Sequence, residues 1–239
     1  MTRASTFSAV RGGIIAAGEG SRLRADGYHV SKPMVPVAGR PLIDHALDRF
    51  RSAGIRQLTV VINEASDDCR QWLKGHAGDF DLDMIVRSTP SSYATFRLVA
   101  DKLVDAPAVI TTVDTIMPVA QFETFVASAS RFPDDAVVLG VTGHVDDENP
   151  LWVTLDTSNG RIRHIGGSNG SHVTAGLYWL PAKRPVNPAK DFARLRDRLV
   201  MLARVAQRSD EQGAREERVR TILDEVLEPR SCVLVRATT

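Results

Sequence analysis

Hydrophobic residues fall into short continuous runs, separated by segments in which they recur every three or four positions. Val10 to Ile15 is the first such run, and Ala108 to Val113 is similar in length and character. Apolar runs that alternate with helical spacing are typical of buried parallel strands joined by helices. The predicted strands are 10–15, 58–62, 82–86, 108–113 and 136–142, and the predicted helices are 41–54, 66–75, 89–102 and 119–131.

This alternation predicts an α/β fold, a single Rossmann-like, doubly wound, mostly parallel sheet with helices on both faces. The pattern changes beyond Pro150, where runs 151–155 and 161–165 flank a turn at Asn159-Gly160 that favours an antiparallel insertion. Residues 172–180 form a further predicted strand. Two C-terminal helices are expected, one through Leu195, Leu199, Leu202 and Ala206 and one through Val219, Ile222, Leu223, Val226 and Leu227.

Composition narrows the class of protein. A chain of 239 residues can bury one sizeable core, and a net charge of +1 gives no sign of nucleic acid or an anionic membrane as a partner. Cys69 and Cys232 lack metal-ligand spacing and are expected to be reduced thiols. Met1 to Ala9 has no apolar signal core, and no window is long enough to span a membrane. We therefore expect a cytoplasmic protein.

The most distinctive stretch runs from Gly12 to Leu23. Ala16 to Gly20 follows the first predicted strand and carries little side-chain bulk, so its backbone N–H groups can approach a ligand closely. Such a loop is typical of phosphate binding. Arg22 adds a planar set of donors suited to phosphate oxygens, and Lys32 adds a compact positive charge. A tight strand-to-helix turn with a solvated arginine is the alternative, but the combination favours a triphosphate.

Two better-known glycine motifs do not fit this stretch. A dinucleotide fingerprint starting at Gly18 would need a small residue at position 23, which is Leu23. The Walker pattern requires Gly-Lys followed by Ser or Thr, and none follows this loop. A dinucleotide-dependent oxidoreductase is therefore disfavoured.

The segments G-E-G-S-R-L and S-K-P-M-V-P-V-A-G-R-P-L-I resemble the signature of nucleotidylyltransferases that make NDP-sugars from a nucleoside triphosphate and a sugar 1-phosphate. That family includes relatives that act on phosphocholine. The resemblance is close over residues 10–64 and thinner to about residue 180, and Ser31 stands where the family usually has Pro. It implies that Arg22 holds the β- and γ-phosphates and that Lys32 lies at the reacting phosphates. The nucleotide-binding residues are predicted to be Ala16, Ala17, Gly18, Gly20, Ser21 and Thr89.

Asp114 is the candidate metal ligand. It follows the strand 108–113, so its carboxylate is expected at the carboxyl edge of the sheet, where ligands bind in open parallel sheets. A carboxylate there can hold Mg²⁺, which offsets the charge of a triphosphate. A turn or helix-capping Asp is the structural alternative. The resemblance matches Asp114 to the family's first metal-binding Asp, although Val113 replaces the usual Gly.

Thr89 lies in a small, polar connection, 87–92, that can contact a base or bind an anion. The Gly-Thr-Ala element that many relatives carry here is missing, so the base is not predicted. Capping of the next helix by Thr89 is an equal alternative.

The acceptor side carries fewer signals. His172 to Tyr178 resembles the strand that lines the family's sugar-phosphate pocket, which makes Thr174 and Gly176 candidate acceptor-binding residues. The family's acceptor-binding Lys is absent. Arg163 or His164 are alternatives, and each also fits an exposed strand residue. The family's second metal-binding Asp near the C-terminus is absent too, so either one metal suffices, another carboxylate serves, or the chain is not fully active.

The sequence therefore predicts a Mg²⁺-dependent nucleotidylyltransferase that joins a nucleoside triphosphate to a sugar 1-phosphate and releases pyrophosphate, with Arg22, Lys32 and Asp114 as catalytic residues. Its partners would be a nucleoside triphosphate and a phosphorylated small-molecule acceptor, without nucleic acid or membrane. One domain is expected over 1–239, with a nucleotide-binding part at 10–142 and an acceptor-binding part with C-terminal helices at 143–239. A nucleotide-binding regulatory homologue that has lost the reaction, and a phosphocholine transferase, stay open as alternatives. A homo-oligomer is left open as well.

Overall fold

The computed structural model describes residues 7, 9–20, 23, 27–104, 106–132, 136–145, 150–156, 161–182, 218–221 and 233–234. Helices and strands alternate through most of this part of the chain. The helices are α1 (Leu42–Ser52), α2 (Asp67–His76), α3 (Ser92–Lys102) and α4 (Val119–Ala129), with a short 3-10 helix at Lys32–Met34. The strands are β1 (Arg11–Ala16), β2 (Pro36–Val37), β3 (Arg40–Pro41), β4 (Gln57–Ile62), β5 (Asp81–Val86), β6 (Ala108–Thr112), β7 (Thr115–Ile116), β8 (Ala136–Thr142), β9 (Trp152–Leu155), β10 (Ile162–Ile165), β11 (His172–Leu180), β12 (Arg218–Thr221) and β13 (Val233–Leu234).

The central sheet has nine strands within the described residues, in the order β10-β9-β11-β6-β1-β4-β5, and β8 pairs with β11 and β12. Neighbours β6, β1, β4 and β5 are parallel. β11 is antiparallel to β6, β8 and β9, so it runs against the direction that those three strands share. The mostly parallel α/β sheet predicted from the sequence is confirmed, and the later antiparallel strand lies inside the sheet between β6 and β8.

Helices cover both faces of β1 at very short distance. A Cβ atom at Gly12 would lie 2.7 Å from the Phe50 ring of α1, and one at Gly13 would lie 2.4 Å from a Val99 methyl of α3. Successive strand residues face opposite sides, so the two glycines let one helix approach each face. This close packing fixes where β1 ends and its loop begins.

The apolar residues whose helical spacing predicts α1 form the buried face of that helix. Ile43, Ala46, Leu47 and Phe50 are all fully buried, as expected for one apolar stripe of a helix. Pro41 precedes the first helical residue, where its missing N–H costs nothing. On the same side of the sheet, the ring of Phe50 meets Phe122 of α4 edge-on, with centroids 5.1 Å apart.

One local prediction is wrong, and one alternative is excluded. The sequence predicts Val219 in a helix, but residues 218–221 form β12, which pairs in parallel with β8. A short apolar run does not separate strand from helix by spacing alone, and β12 pairs with β8, which also pairs with β11. Capping of α3 by Thr89, the alternative to a nucleotide contact, does not occur, because the Ser91 side chain accepts the Ala94 N–H at 3.1 Å.

Other predictions fall on residues outside those described. These are the helix through Leu195, Leu199, Leu202 and Ala206, the remainder of the second C-terminal helix, the turn at 157–160 and Cys232. Strands β9 and β10 are antiparallel, as expected on either side of that turn. Among the described helices, none is long and apolar enough to cross a membrane.

Candidate functional site

Lys32 and Asp114, which are 82 positions apart in the chain, form an ion pair between Nζ and Oδ2. Lys32 opens the 3-10 helix, and Asp114 lies in the turn after β6, at the carboxyl edge of the parallel strands. Both side chains are partly buried, with 28% and 16% of their surface exposed. The sequence predicted these residue types at this edge, and the structure brings them into contact.

The environment of Asp114 favours its charged form. Burial would raise the pKa of this carboxyl, but the Lys32 charge and hydrogen bonds from Lys32 and Thr112 lower it below its ordinary value. Asp114 is therefore a carboxylate at neutral pH. It can act as an oxygen ligand or as the counter-charge of the ammonium, and it cannot donate a proton.

The predicted phosphate loop lies against the same lysine. Ala16 and Ala17 are buried, whereas Gly18 is exposed and has no atom within 4 Å of a would-be Cβ. Gly20 has φ +62°, and a Cβ there would lie 3.1 Å from Cβ of Lys32. Gly20 is thus needed for both its backbone conformation and its approach to Lys32.

Asn63 is a polar residue of this edge that the sequence analysis did not single out. It follows β4 directly, and its Nδ2 donates to the carbonyl oxygen of Ala17 at 3.2 Å. Its Oδ1 accepts the N–H of Ala65 at 2.9 Å. Asn63 therefore ties the end of β4 to the loop after β1. Its position directly after a buried strand was the available signal, the same one that identified Asp114.

A cavity of about 120 Å³ opens between the β1 loop, the 3-10 helix and the end of β4. The exposed part of the glycine loop and Lys32 both line this cavity. The lining residues are Gly18, Glu19, His29, Val30, Ser31, Lys32, Asn63, Ala65 and Ser66.

Asp68, at the start of α2, contacts the segment that carries Lys32. Its Oδ2 accepts the backbone N–H of Ser31 at 2.9 Å, and its Oδ1 accepts the N–H of Cys69 at 2.8 Å. Burial would raise the pKa of Asp68, but hydrogen bonds from Ser31 and Cys69 lower it. Nothing in the sequence pattern pointed to this residue. The Cys69 thiol is free and buried, and burial together with the Asp68 charge raises its pKa to about 12, so it is not a nucleophile at neutral pH.

The acceptor-side candidates lie on β11. Gly176 has φ +67°, and a Cβ there would lie 2.5 Å from Thr115 Oγ1 and 2.6 Å from Thr112 Oγ1. The space beside Gly176 is thus filled by two hydroxyls that lie 2.8 Å apart. Thr115 Oγ1 also lies 3.1 Å from the carbonyl oxygen of Ala175. These contacts join β11 to Thr112 at the end of β6 and to Thr115 at the start of β7, which lie two residues before and one residue after Asp114.

The remaining candidates differ in what surrounds them. Thr174 is partly exposed on β11, and its N–H donates to the Leu151 carbonyl at 3.2 Å. Thr89 Oγ1 lies 2.5 Å from Thr95 Oγ1, so its hydroxyl is engaged within the protein. Arg163 is exposed and pairs with Asp156 at 2.9 Å, and His164 is exposed too. The catalytic candidate Arg22 and the nucleotide-binding candidate Ser21 lie outside the described residues.

The donor set around Asp114 is compatible with Mg²⁺. This ion is commonly bound by one or two carboxylates together with substrate phosphates and water, and Asp114 supplies one ionised carboxylate. In the part of the chain that the structure describes, no cluster of three or more His, Cys, Asp or Glu side chains could enclose a metal by itself.

Sequence comparison finds similar proteins among bacterial enzymes. The chain is 28% identical over 177 residues to the CMP-5'-(3-aminopropyl)phosphonate synthase of Streptomyces rubellomurinus. The matched region covers 72% of this chain and 28% of that protein. It is 30% identical over 159 residues to the glucose-1-phosphate thymidylyltransferase of Actinoplanes sp., covering 65% of this chain and 52% of that one. The match thus spans less than two thirds of the length of either relative.

Solved structures share the fold. A putative glucose-1-phosphate thymidylyltransferase from Bacillus anthracis superimposes with a TM-score of 0.71 at 19% identity, covering 90% of this chain and 86% of that one. The inositol-1-phosphate CTP transferase of T. maritima gives a TM-score of 0.67 at 19% identity, over 90% of this chain and 85% of that one. Residues 12–216, well over half of the chain, match the MobA-like NTP transferase domain, and the protein belongs to that family.

Proposed function

We propose that the protein is a nucleotidyltransferase that joins a nucleoside triphosphate to a phosphorylated small molecule and releases pyrophosphate. The observation that carries this proposal is the Lys32–Asp114 pair at the carboxyl edge of the parallel strands, next to the glycine loop. Membership of the NTP transferase family supports the same reaction class. The domain division at 10–142 and 143–239 and a cytoplasmic location, where nucleoside triphosphates are made and used, belong to this proposal.

In this reaction an oxygen of the acceptor phosphate attacks the α-phosphorus of the triphosphate. The bond from that phosphorus to the oxygen bridging to the β-phosphate breaks, and pyrophosphate leaves with the electron pair. Such transfer depends mainly on alignment and on offsetting charge, and needs little acid–base chemistry. Lys32 neutralises charge at the reacting phosphates, and Arg22 is assigned to the β- and γ-phosphates. The N–H groups of the glycine loop contact the nucleotide at short distance.

Asp114 is the residue that would hold Mg²⁺ in this proposal. When bound, the ion would supply positive charge that offsets the phosphate oxygens. Asp114 meanwhile keeps Lys32 oriented toward the carboxyl edge of the sheet through their ion pair. Thr112, two residues before Asp114, also lowers the pKa of this carboxyl and so favours its charged form.

A pyrimidine nucleotide is the proposed donor. The relatives and neighbours described above are named for thymidylyl and cytidine chemistry. A sugar 1-phosphate is the first acceptor proposed. A phosphonate is the second, because the phosphonate synthase matches 72% of the chain.

The test is a screen for pyrophosphate release. The five common nucleoside triphosphates (ATP, GTP, CTP, UTP and dTTP) are paired with sugar 1-phosphates, phosphocholine and an aminoalkylphosphonate, each with Mg²⁺. We expect release from a pyrimidine nucleotide with one acceptor class, and at least about a 100-fold lower rate for Lys32→Ala with its unfolding free energy changed little. Nucleotide binding without release from any acceptor would instead favour a regulatory homologue. Near-wild-type turnover in Lys32→Ala would refute the role of the lysine.

A further inference from the structure

Asp68 links α2 to the residue that precedes Lys32. Its Oδ2 accepts the Ser31 N–H at 2.9 Å, while the Ser31 carbonyl accepts the Met34 N–H at 2.8 Å. Both backbone polar groups of Ser31 are therefore held. The next residue begins the 3-10 helix, so the direction in which Lys32 leaves the backbone depends on how Ser31 is fixed.

Lys32 is also constrained from two other sides. Gly20 lies against its Cβ atom, and Asp114 holds its Nζ. The contacts of Gly20 with Cβ and of Asp114 with Nζ are made to the side chain of Lys32. Asp68 is the contact among these that fixes the main chain entering Lys32.

The same contact lies beside the cavity. Residues 29–32 and the residues Asn63, Ala65 and Ser66 are among those that line it, and α2 begins directly after Ser66. Asp68, two residues after Ser66, accepts the N–H of Ser31. One charge-assisted hydrogen bond, a strong type of contact, thus joins the start of α2 to a segment that lines the cavity.

We infer that Asp68 is a positioning residue for nucleotide transfer, which holds Lys32 in place and joins the start of α2 to the cavity lining through the Ser31 N–H. This inference rests on the proposed function. Asp68 does not touch the reacting atoms in this scheme, so its loss acts through Lys32 and through the cavity. The affected quantities are the KM for the nucleotide and kcat.

A simpler explanation of Asp68 is that an acidic residue in the first turn stabilises α2 by itself. Asp67 offers a matched control, because it lies in the same first turn, carries the same charge and pairs with Arg70 on the surface. If helix stabilisation were the whole role, Asp67→Ala and Asp68→Ala would behave alike.

The decisive variant is Ser31→Pro, because proline has no N–H. Ser31 has φ −64° and ψ 153°, which proline adopts without strain. Comparison with Ser31→Ala, which lacks the hydroxyl but keeps the N–H, isolates the hydrogen bond to Asp68. We expect kcat/KM for the nucleotide to fall about tenfold in Asp68→Ala. In the Ser31→Pro background no N–H is left for Asp68 to hold and the proline ring fixes φ by itself, so Asp68→Ala should cost nothing further there. Asp67→Ala should stay within about twofold of the wild type.

The double variant Ser31→Pro/Asp68→Ala completes a cycle. Since both changes remove one contact, the double variant should be no worse than either single variant. Losses that multiply, or an equal loss in Asp67→Ala, would overturn the inference.

Amide hydrogen exchange of Ser31 tests the contact without any turnover. Its protection should drop in Asp68→Ala and stay unchanged in Asp67→Ala. If protection is lost while no acceptor supports pyrophosphate release, the positioning contact stands and the proposed function fails. Unchanged protection in Asp68→Ala would overturn the inference even in an active enzyme.

Discussion

The two sides of the candidate site are built in different ways. On the side of β1, β4 and β6, charged and amide side chains connect distant segments, as Lys32 does with Asp114 and Asn63 with Ala17. On the side of β11, the described contact with the site runs through the main chain, where Gly176 and the Ala175 carbonyl meet threonine hydroxyls. The first side thus supplies charge at defined positions. The second side supplies a backbone conformation. Substitutions on the first side should therefore lower the reaction rate, and substitutions on the second side should lower the stability of the fold.

The largest effect is expected from Asp114→Asn. This change keeps the shape of the side chain but removes the charge that faces Lys32, so we expect kcat to fall about 100- to 1000-fold, or roughly 3 to 4 kcal/mol in barrier. The loss in unfolding free energy should stay below about 1 kcal/mol, because the pair is partly exposed. Pyrophosphate release and urea unfolding measure the two quantities. If Asp114→Asn loses stability but keeps its turnover, the charges on the side of β1, β4 and β6 serve the fold and not the reaction. The two sides of the site would then not differ in function.

Gly176→Ala should lower the free energy of unfolding, in contrast to Asp114→Asn, which mainly lowers kcat. The new methyl group would lie 2.5 Å from Thr115 Oγ1 at a residue with φ +67°, so we expect a loss of about 2 to 3 kcal/mol in unfolding free energy. Gly75→Ala is the control, because nothing lies within 4 Å of its would-be Cβ and it sits in α2. That variant should be equally stable or more stable. Equal losses in both variants would mean that the backbone shape at Gly176 is not special.

Acidic pH is expected to have a smaller effect on the free energy of unfolding. Because the pKa of Asp114 is lowered from 3.8 in the folded protein, the stability that its charge contributes is complete above its ordinary pKa. That contribution is lost as the pH falls through the lowered folded value. The difference in unfolding free energy between wild type and Asp114→Asn should therefore be constant near neutral pH and shrink as the pH falls below 3.8. A difference that grows on acidification would contradict the sign of the Lys32 interaction.

The smallest change in stability is expected for Gly18→Ala. Nothing lies within 4 Å of a Cβ atom at this exposed position, so the unfolding free energy should change by less than about 0.5 kcal/mol. If the loop approaches a nucleotide closely, binding should still weaken several-fold, as calorimetry with the preferred nucleotide would detect. Unchanged binding would remove Gly18 from the nucleotide-binding residues.

Elements with a strong local pattern were predicted almost to the residue. Strands β8 and β11 have the predicted bounds, and α1 ends two residues before Gly54. Residues 218–221 were mispredicted because their strand depends on pairing with β8, a partner distant in the chain. Local spacing carries no information about such a partner.

The residues of the site likewise divide into those that a local sequence pattern predicts and those that depend on a distant partner. Lys32 and Asp114 were predicted because each stands in a recognisable local setting, a signature segment and the end of a buried strand. Asn63 carried the second of these signals and was overlooked. Asp68 carried neither, because its role arises from a contact with Ser31 across 37 positions of the chain.

The sequence by itself determined the succession of strands and helices, the small-residue loop after β1 and the types of charged residue near it. These depend on side-chain size and spacing within a few positions. The tertiary structure decided the partners: that Lys32 meets Asp114, that β11 enters the sheet beside β6, and that Asp68 holds Ser31. Such contacts depend on strand order and helix packing over the whole domain, which sets the distances between residues far apart in the chain.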